Sequence, residues 1–216
     1  MKSFFVLVAV VVCLLLNPTA ACAQSQAASD DPPRYEAGLH FSALTLTPSG
    51  SYRTELGVGG RFTVNLSEHV ALEAETTLFP NSGRSGEPRA TGRAVQGLFG
   101  VKAGRRWEKF GVFAKARPGF VSFARGRIDP DPLQSVPPFS IVFNERRATH
   151  FATDVGGVLE LYVTRRWAAR FDVGDTMIRY GEQNIQNLFP PPAAFTIPKE
   201  LRHNLQVSAG IGLRFD

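Results

Sequence analysis

The sequence predicts an all-β fold, an eight-stranded antiparallel up-and-down transmembrane β-barrel. Three observations carry this expectation. Eight segments alternate apolar and polar residues with a period of two, their connections alternate between short and long, and the polar face holds charges of both signs in near balance. With 216 residues, 44% of them hydrophobic, the chain is long enough for one domain with a core. Past the N-terminal region no run approaches a spanning helix and no stretch keeps a 3.6-residue stripe.

The segments are read in chain order. Tyr35 to Thr45 sets Leu39, Phe41 and Ala43 against His40 and Ser42. In Leu56 to Leu66 the even positions are apolar or Gly, and the odd ones are Gly, Arg61, Thr63 and Asn65. The third sets Val70, Leu72, Ala74 and Leu78 against Glu73 and Glu75. Arg93 to Arg105 sets Val95, Phe99, Val101 and Ala103 against Gln96, Gly100, Lys102 and Gly104. Phe110 to Arg117 sets Phe110, Val112, Ala114 and Ala116 against Lys115 and Arg117. His150 to Val163 sets Phe151, Val155, Leu159 and Leu161 against Asp154, Gly156 and Glu160. Trp167 to Gly174 sets Ala169, Phe171 and Val173 against Arg170, Asp172 and Gly174. Leu205 to Phe215 alternates without a fault, ending on Arg214 and Phe215. Leu44 and Leu46 fall on the inward parity and Asp175 on the outward, so slips or rim positions are expected there.

Asn65 to His69, Arg105 to Lys109 and Thr164 to Arg166 read as tight, charged turns. Thr47 to Ser51, Pro80 to Gly92, Arg125 to Arg147 and Gly181 to Lys199 read as connections, mostly long and rich in Gly, Pro, Asn and Ser. Tight turns at one end and long loops at the other, with an even strand count, is the plan of a membrane barrel.

The N-terminus reads as an export signal. Lys2 precedes an apolar run from Phe4 to Leu16, Asn17 and Pro18 break it, and Ala21-Cys22-Ala23 offers a small-residue cleavage site. The run is shorter than the roughly 20 residues of a spanning helix. The expected divisions are a signal peptide over 1–23, a flexible periplasmic leader over 24–34 and a barrel domain over 35–216. Both cysteines, Cys13 and Cys22, lie in this region, which argues against a thiolate metal site or a disulfide framework in the barrel. Lys and Arg number 24 against 19 Asp and Glu, but the basic residues form no stripe, so no nucleic-acid partner is expected.

The apolar face is expected to meet lipid. Arg61, Lys102, Lys115, Arg117, Arg170 and Arg214 nearly balance Glu73, Glu75, Asp154, Glu160 and Asp172, as a narrow lumen requires. Centring the first turn near Ser67 places Arg61 opposite Glu73, and centring the third near Arg165 places Glu160 opposite Arg170. Aromatic girdles are expected from Tyr35, Trp107, Phe110, Trp167 and Phe215 near the turns, and from Tyr52, Phe79, Phe120 and Tyr180 near the long connections.

The hairpins GGRFTVNLSEHVALEAE and QGLFGVKAGRRWEKFGVFAKARPGF and the terminal QVSAGIGLRF resemble the small outer-membrane β-barrel family of OmpA/OmpX type over Tyr35 to Asp216. The resemblance implies recognition of Ile211, Leu213 and Phe215 as a C-terminal assembly signal by the barrel-assembly machinery. It also implies passage with periplasmic chaperones to the outer membrane of a diderm bacterium, contact with outer-membrane lipid and lipopolysaccharide, and a monomer. No cofactor or metal is expected, since no phosphate-cradling Gly loop, zinc-helix motif or Gly-x-Ser-x-Gly elbow is present. The expected role is non-enzymatic, in envelope integrity or surface interaction through the long loops, with the lumen plugged by charge pairs. The alternatives are a channel for small solutes or hydrophobic compounds, and a barrel hydrolase similar to lipid A deacylases using His40 and Ser42.

Overall fold

The computed structural model describes residues 33–47, 53–80, 90–130, 143–186 and 194–216. The expected signal and cleavage site, most of the leader, Tyr52 and much of the proline-rich connections lie outside the described residues. Eight strands close a barrel: β1 (Tyr35–Leu46), β2 (Arg53–Asn65), β3 (Val70–Phe79), β4 (Thr91–Arg106), β5 (Phe110–Pro130), β6 (Phe143–Tyr162), β7 (Trp167–Tyr180) and β10 (Glu200–Phe215). They follow the ring order β1-β10-β7-β6-β5-β4-β3-β2, each pair antiparallel, so every barrel strand has neighbours on both edges. Closure brings Tyr35 opposite Phe215, beside the three tight turns.

The turns satisfy their own backbone. Ser67 Oγ accepts from His69 N and Val70 N at 3.2 and 3.1 Å, and Thr164 Oγ1 accepts from Arg166 N and Trp167 N at 3.2 and 3.0 Å. The long connections differ from expectation. β5 and β6 stay paired beyond an irregularity between Phe123 and Arg127, out to Pro130 opposite Phe143, so much of the expected Arg125 to Arg147 loop is hairpin. Likewise β8 (Gln183–Gln186) and β9 (Ala194–Ile197) form a two-stranded sheet within the Gly181 to Lys199 connection.

The outer wall is apolar, with Leu39 and Phe41 68% and 75% exposed and Leu56, Phe99, Phe151, Leu205 and Ile211 among the others. Such a continuous exposed apolar surface has no place in water. Aromatic rings gather at the turn end, where Tyr35 stacks on Phe62 and Phe215 and Trp107 on Phe110. At the other end two residues expected in the outer girdle are interior: Phe79 and Tyr180 are 1% and 2% exposed. They follow the inward parity of β3 and β7, and they pack with Leu44, Leu46, Val121, Phe123 and Ile178 in an apolar layer that fills this end of the barrel, beside the buried Glu55, which Arg53 of the same strand holds at 2.5 Å.

Toward the turns the inner face becomes neutral polar and then charged. Glycine makes room for the larger ions there. Gly174 stands opposite Gly156, and a Cβ on Gly174 would lie 2.5 Å from Asp154 Oδ1. Gly174→Val is expected to cost about 1–3 kcal/mol through overpacking, read as a lower urea midpoint at unchanged slope.

Candidate functional site: the interior charge network

All eleven charged residues expected in the lumen lie on the inner face and are buried. Arg170 is at the centre of the network. It donates to Glu73 through both terminal nitrogens and to Asp172 through Nε and Nη2 at 2.9 and 2.8 Å, with Glu160 at 3.4 Å. Paired, planar contacts of this kind are what guanidinium offers and ammonium does not. Arg117 reaches Asp154 Oδ2 at 2.6 Å and Glu75 Oε2 at 2.8 Å. Lys102 and Lys115 are direct neighbours across β4 and β5, yet lean to different anions: Lys102 to Glu160 at 2.5 Å, Lys115 to Asp154 at 2.8 Å.

One expected pairing is displaced. Arg61 lies opposite Glu75, while Glu73 is opposite Thr63 and accepts from its hydroxyl at 3.3 Å. The β2–β3 turn is centred on Glu68 rather than Ser67, as Asn65 opposite Ala71 requires, and that shifts every partner by two residues. Arg61 then sits 4.0 Å from Glu75 and 3.6 Å from Asp172. Glu160 does stand opposite Arg170.

Four members were not expected: Glu36, Arg106, Phe113 and Tyr162. Glu36 accepts from Asn65 Nδ2 at 2.9 Å and lies 3.7 Å from both Arg106 and Arg214. Arg106 donates to Asn65 Oδ1 at 2.5 Å. Phe113 lies under both Lys102 and Arg106, at 4.6 and 5.0 Å, and Arg214 covers Tyr162 at 4.2 Å. Each carries the parity of a residue already assigned to the lumen, Glu36 with His40, Arg106 with Lys102, Phe113 with Lys115 and Tyr162 with Glu160. Glu36, Phe113 and Tyr162 lie within the alternating segments and Arg106 one residue past the end of its own, so parity carried along each whole strand finds them.

Between charge and apolar layer lie neutral polar residues. His40 Nε2 meets Thr77 Oγ1 at 3.0 Å and stands 3.8 Å from Glu75. Ser42 Oγ is 3.0 Å from Ser208 Oγ and accepts from Gln206 Nε2 at 3.1 Å. Gln96 and Gln206 exchange hydrogen bonds between their side-chain amides at 3.0 and 3.1 Å, and Thr176 donates to Gln206 at 2.7 Å. His40 and Ser42, the pair of the hydrolase alternative, therefore face inward and are held by different partners. Ile211, Leu213 and Phe215 lie on the exposed outer wall.

A closed eight-stranded antiparallel cylinder with a polar interior and an apolar wall is the fold of the small outer-membrane barrels. Among solved structures, Neisserial surface protein A is similar at a TM-score of 0.50 with 10% identity, over 84% of this chain and 97% of that one. The N-terminal β-barrel domain of Pseudomonas aeruginosa OprF gives 0.45 with 11% identity, over 85% and 99%. Ail, the attachment invasion locus protein of Yersinia pestis, in complex with the heparin analogue sucrose octasulfate, gives 0.46 with 8% identity, over 84% and 97%. The likeness is one of fold. No protein-family model and no curated protein matches the chain.

Arg170→Met leaves Glu73 and Asp172 short of a buried partner, so a loss of about 3–5 kcal/mol is expected in urea unfolding from vesicles. In a double-mutant cycle, Lys102→Met and Glu160→Gln should couple by at least about 0.5 kcal/mol.

Proposed function

We propose that the chain is a non-enzymatic outer-membrane barrel, exported and signal-cleaved near Ala23, whose closed cylinder carries its long connections at the cell surface, in envelope integrity or surface interaction. Both ends of the barrel domain and the tight turns face the periplasm, and the β5–β6 extension and the β8–β9 hairpin face outward. The exposed apolar wall supports the membrane placement, because a strand can cross a bilayer only when paired on both edges and apolar toward lipid.

One observation carries the closed lumen. Lys102, Arg117, Asp154 and Glu160 are each at most 1% exposed, and the apolar layer of Leu44, Phe79, Phe123, Ile178 and Tyr180 lies across the end with the long connections. An eight-stranded interior is just wide enough for such side chains, which leaves no wet path for solutes. The rigid wall then acts as a pedestal, and surface contact falls to the connections. Its partners on this reading are outer-membrane lipid and lipopolysaccharide, with the assembly machinery reading Ile211, Leu213 and Phe215. It works as a monomer without a cofactor.

In planar bilayers the purified chain is expected to give no large, stable conductance, and a steady open channel would refute the closed lumen. Phe41→Arg, in the middle of β1 on the outer wall, should cost about 2–4 kcal/mol in vesicles.

A further inference from the structure

On the outer wall Gly60 of β2, Thr76 of β3 and Gly97 of β4 stand side by side in register, with Ala74 one pleat nearer the turns. Their small side chains leave a cleft of about 520 Å³, walled by Phe62, Phe99 and Phe120. That volume is in the range of small-ligand sites, roughly 300–1,000 Å³. Phe120 lies across Gly97, where a Cβ would be 2.8 Å from the ring, so the glycine sets the position of this wall.

Four residues further along β4, about 13 Å by strand rise, the backbone leaves the regular ladder. The register with β5 shifts between Thr91 and Ala94, and Gly92, at φ 84°, is the one described residue in the left-handed region. A Cβ there would lie 3.1 Å from the backbone nitrogen and Cγ of Arg125. Bulges of this kind re-aim side chains. Here Arg93 and Arg125 both emerge exposed at the long-connection end, with Val95 between Arg93 and the cleft.

We infer that this face of β2 to β5 binds a phosphate-bearing lipid of the outer leaflet, with an acyl chain in the Gly60–Thr76–Gly97 cleft and the phosphate against Arg93 and Arg125. The inference rests on the membrane placement proposed above. Its chemistry follows from the two ends of the cleft: apolar rings where the bilayer core lies, and guanidinium groups, which recognise phosphate by paired hydrogen bonds, where the headgroups lie. A second copy of the chain fits this face poorly. A two-fold axis along the membrane normal would bring the arginines of both copies to the same depth, like charge against like.

The test uses the full chain, refolded in phosphatidylcholine vesicles doped with diphosphorylated lipid A or with its dephosphorylated counterpart, and native mass spectrometry of the extracted protein. Wild type should retain the phosphorylated lipid in preference. Arg93→Gln with Arg125→Gln should lower that retention about tenfold or more and abolish the preference. Gly60→Leu has space for its new side chain, the nearest backbone atom being 3.8 Å from the added Cβ, and should fill the cleft and cut retention without lowering the urea midpoint. Equal retention by wild type and variants, no preference for phosphate, or a dimer mass in place of bound lipid would each overturn the inference. A chain that fails to insert, showing no heat-modifiable gel mobility, would overturn the membrane placement itself.

Discussion

The structure depends on burying ions of both signs inside a narrow cylinder. Moving a guanidinium or carboxylate out of water costs several kcal/mol, and only close opposite charges with good hydrogen bonds offset it. Most interior ions meet this condition through strands other than their own, while Glu55 is held by Arg53 of the same strand. Arg170 of β7 binds Glu73 of β3 across the barrel, Arg117 of β5 reaches both β3 and β6, and Glu36 of β1 meets Arg106 of β4 and Arg214 of β10. Such contacts exist only when the ring is closed in one register. A slip of one residue would turn the ions toward the outer wall and the wall residues inward.

The interior is graded along the axis. The main charge network occupies the turn end, amides and hydroxyls the middle, and aromatic and aliphatic side chains, with the Arg53–Glu55 pair beside them, the end with the long connections. Phe113 and Tyr162 lie against cations within the charged layer and offer them the faces of their rings. The gradation explains why Phe79 and Tyr180 turn inward: the narrow upper interior still needs filling, and nothing ionic on β3 or β7 reaches it.

Most of the barrel was legible in the sequence because a period of two is a direct image of a wall with two unlike faces. The faces of Arg61, Lys102, Asp154 and Arg170 followed from parity alone. Register was less legible. The Arg165 turn gave the Glu160 to Arg170 pairing, but the Ser67 turn is centred one residue later, and parity is blind to a shift of two in the partner. Glu36 and Arg106 are hard to assign from the sequence because they lie at strand ends, where alternation has few neighbours to confirm it. The pairing of β5 with β6 beyond Phe123 was hidden by an irregularity that breaks the alternation. Position along the strand puts Phe79 and Tyr180 at the level of a girdle, but their parity on β3 and β7 turns both rings inward.

The central claim is the direction of the apolar wall. It is tested most directly by Phe41→Trp, in a chain whose Trp107 and Trp167 are replaced by Phe, refolded into vesicles with bromine carried midway along the acyl chains. The account predicts strong quenching of the new indole by the brominated lipid and little by aqueous iodide. Quenching by iodide with no response to the brominated lipid would contradict it.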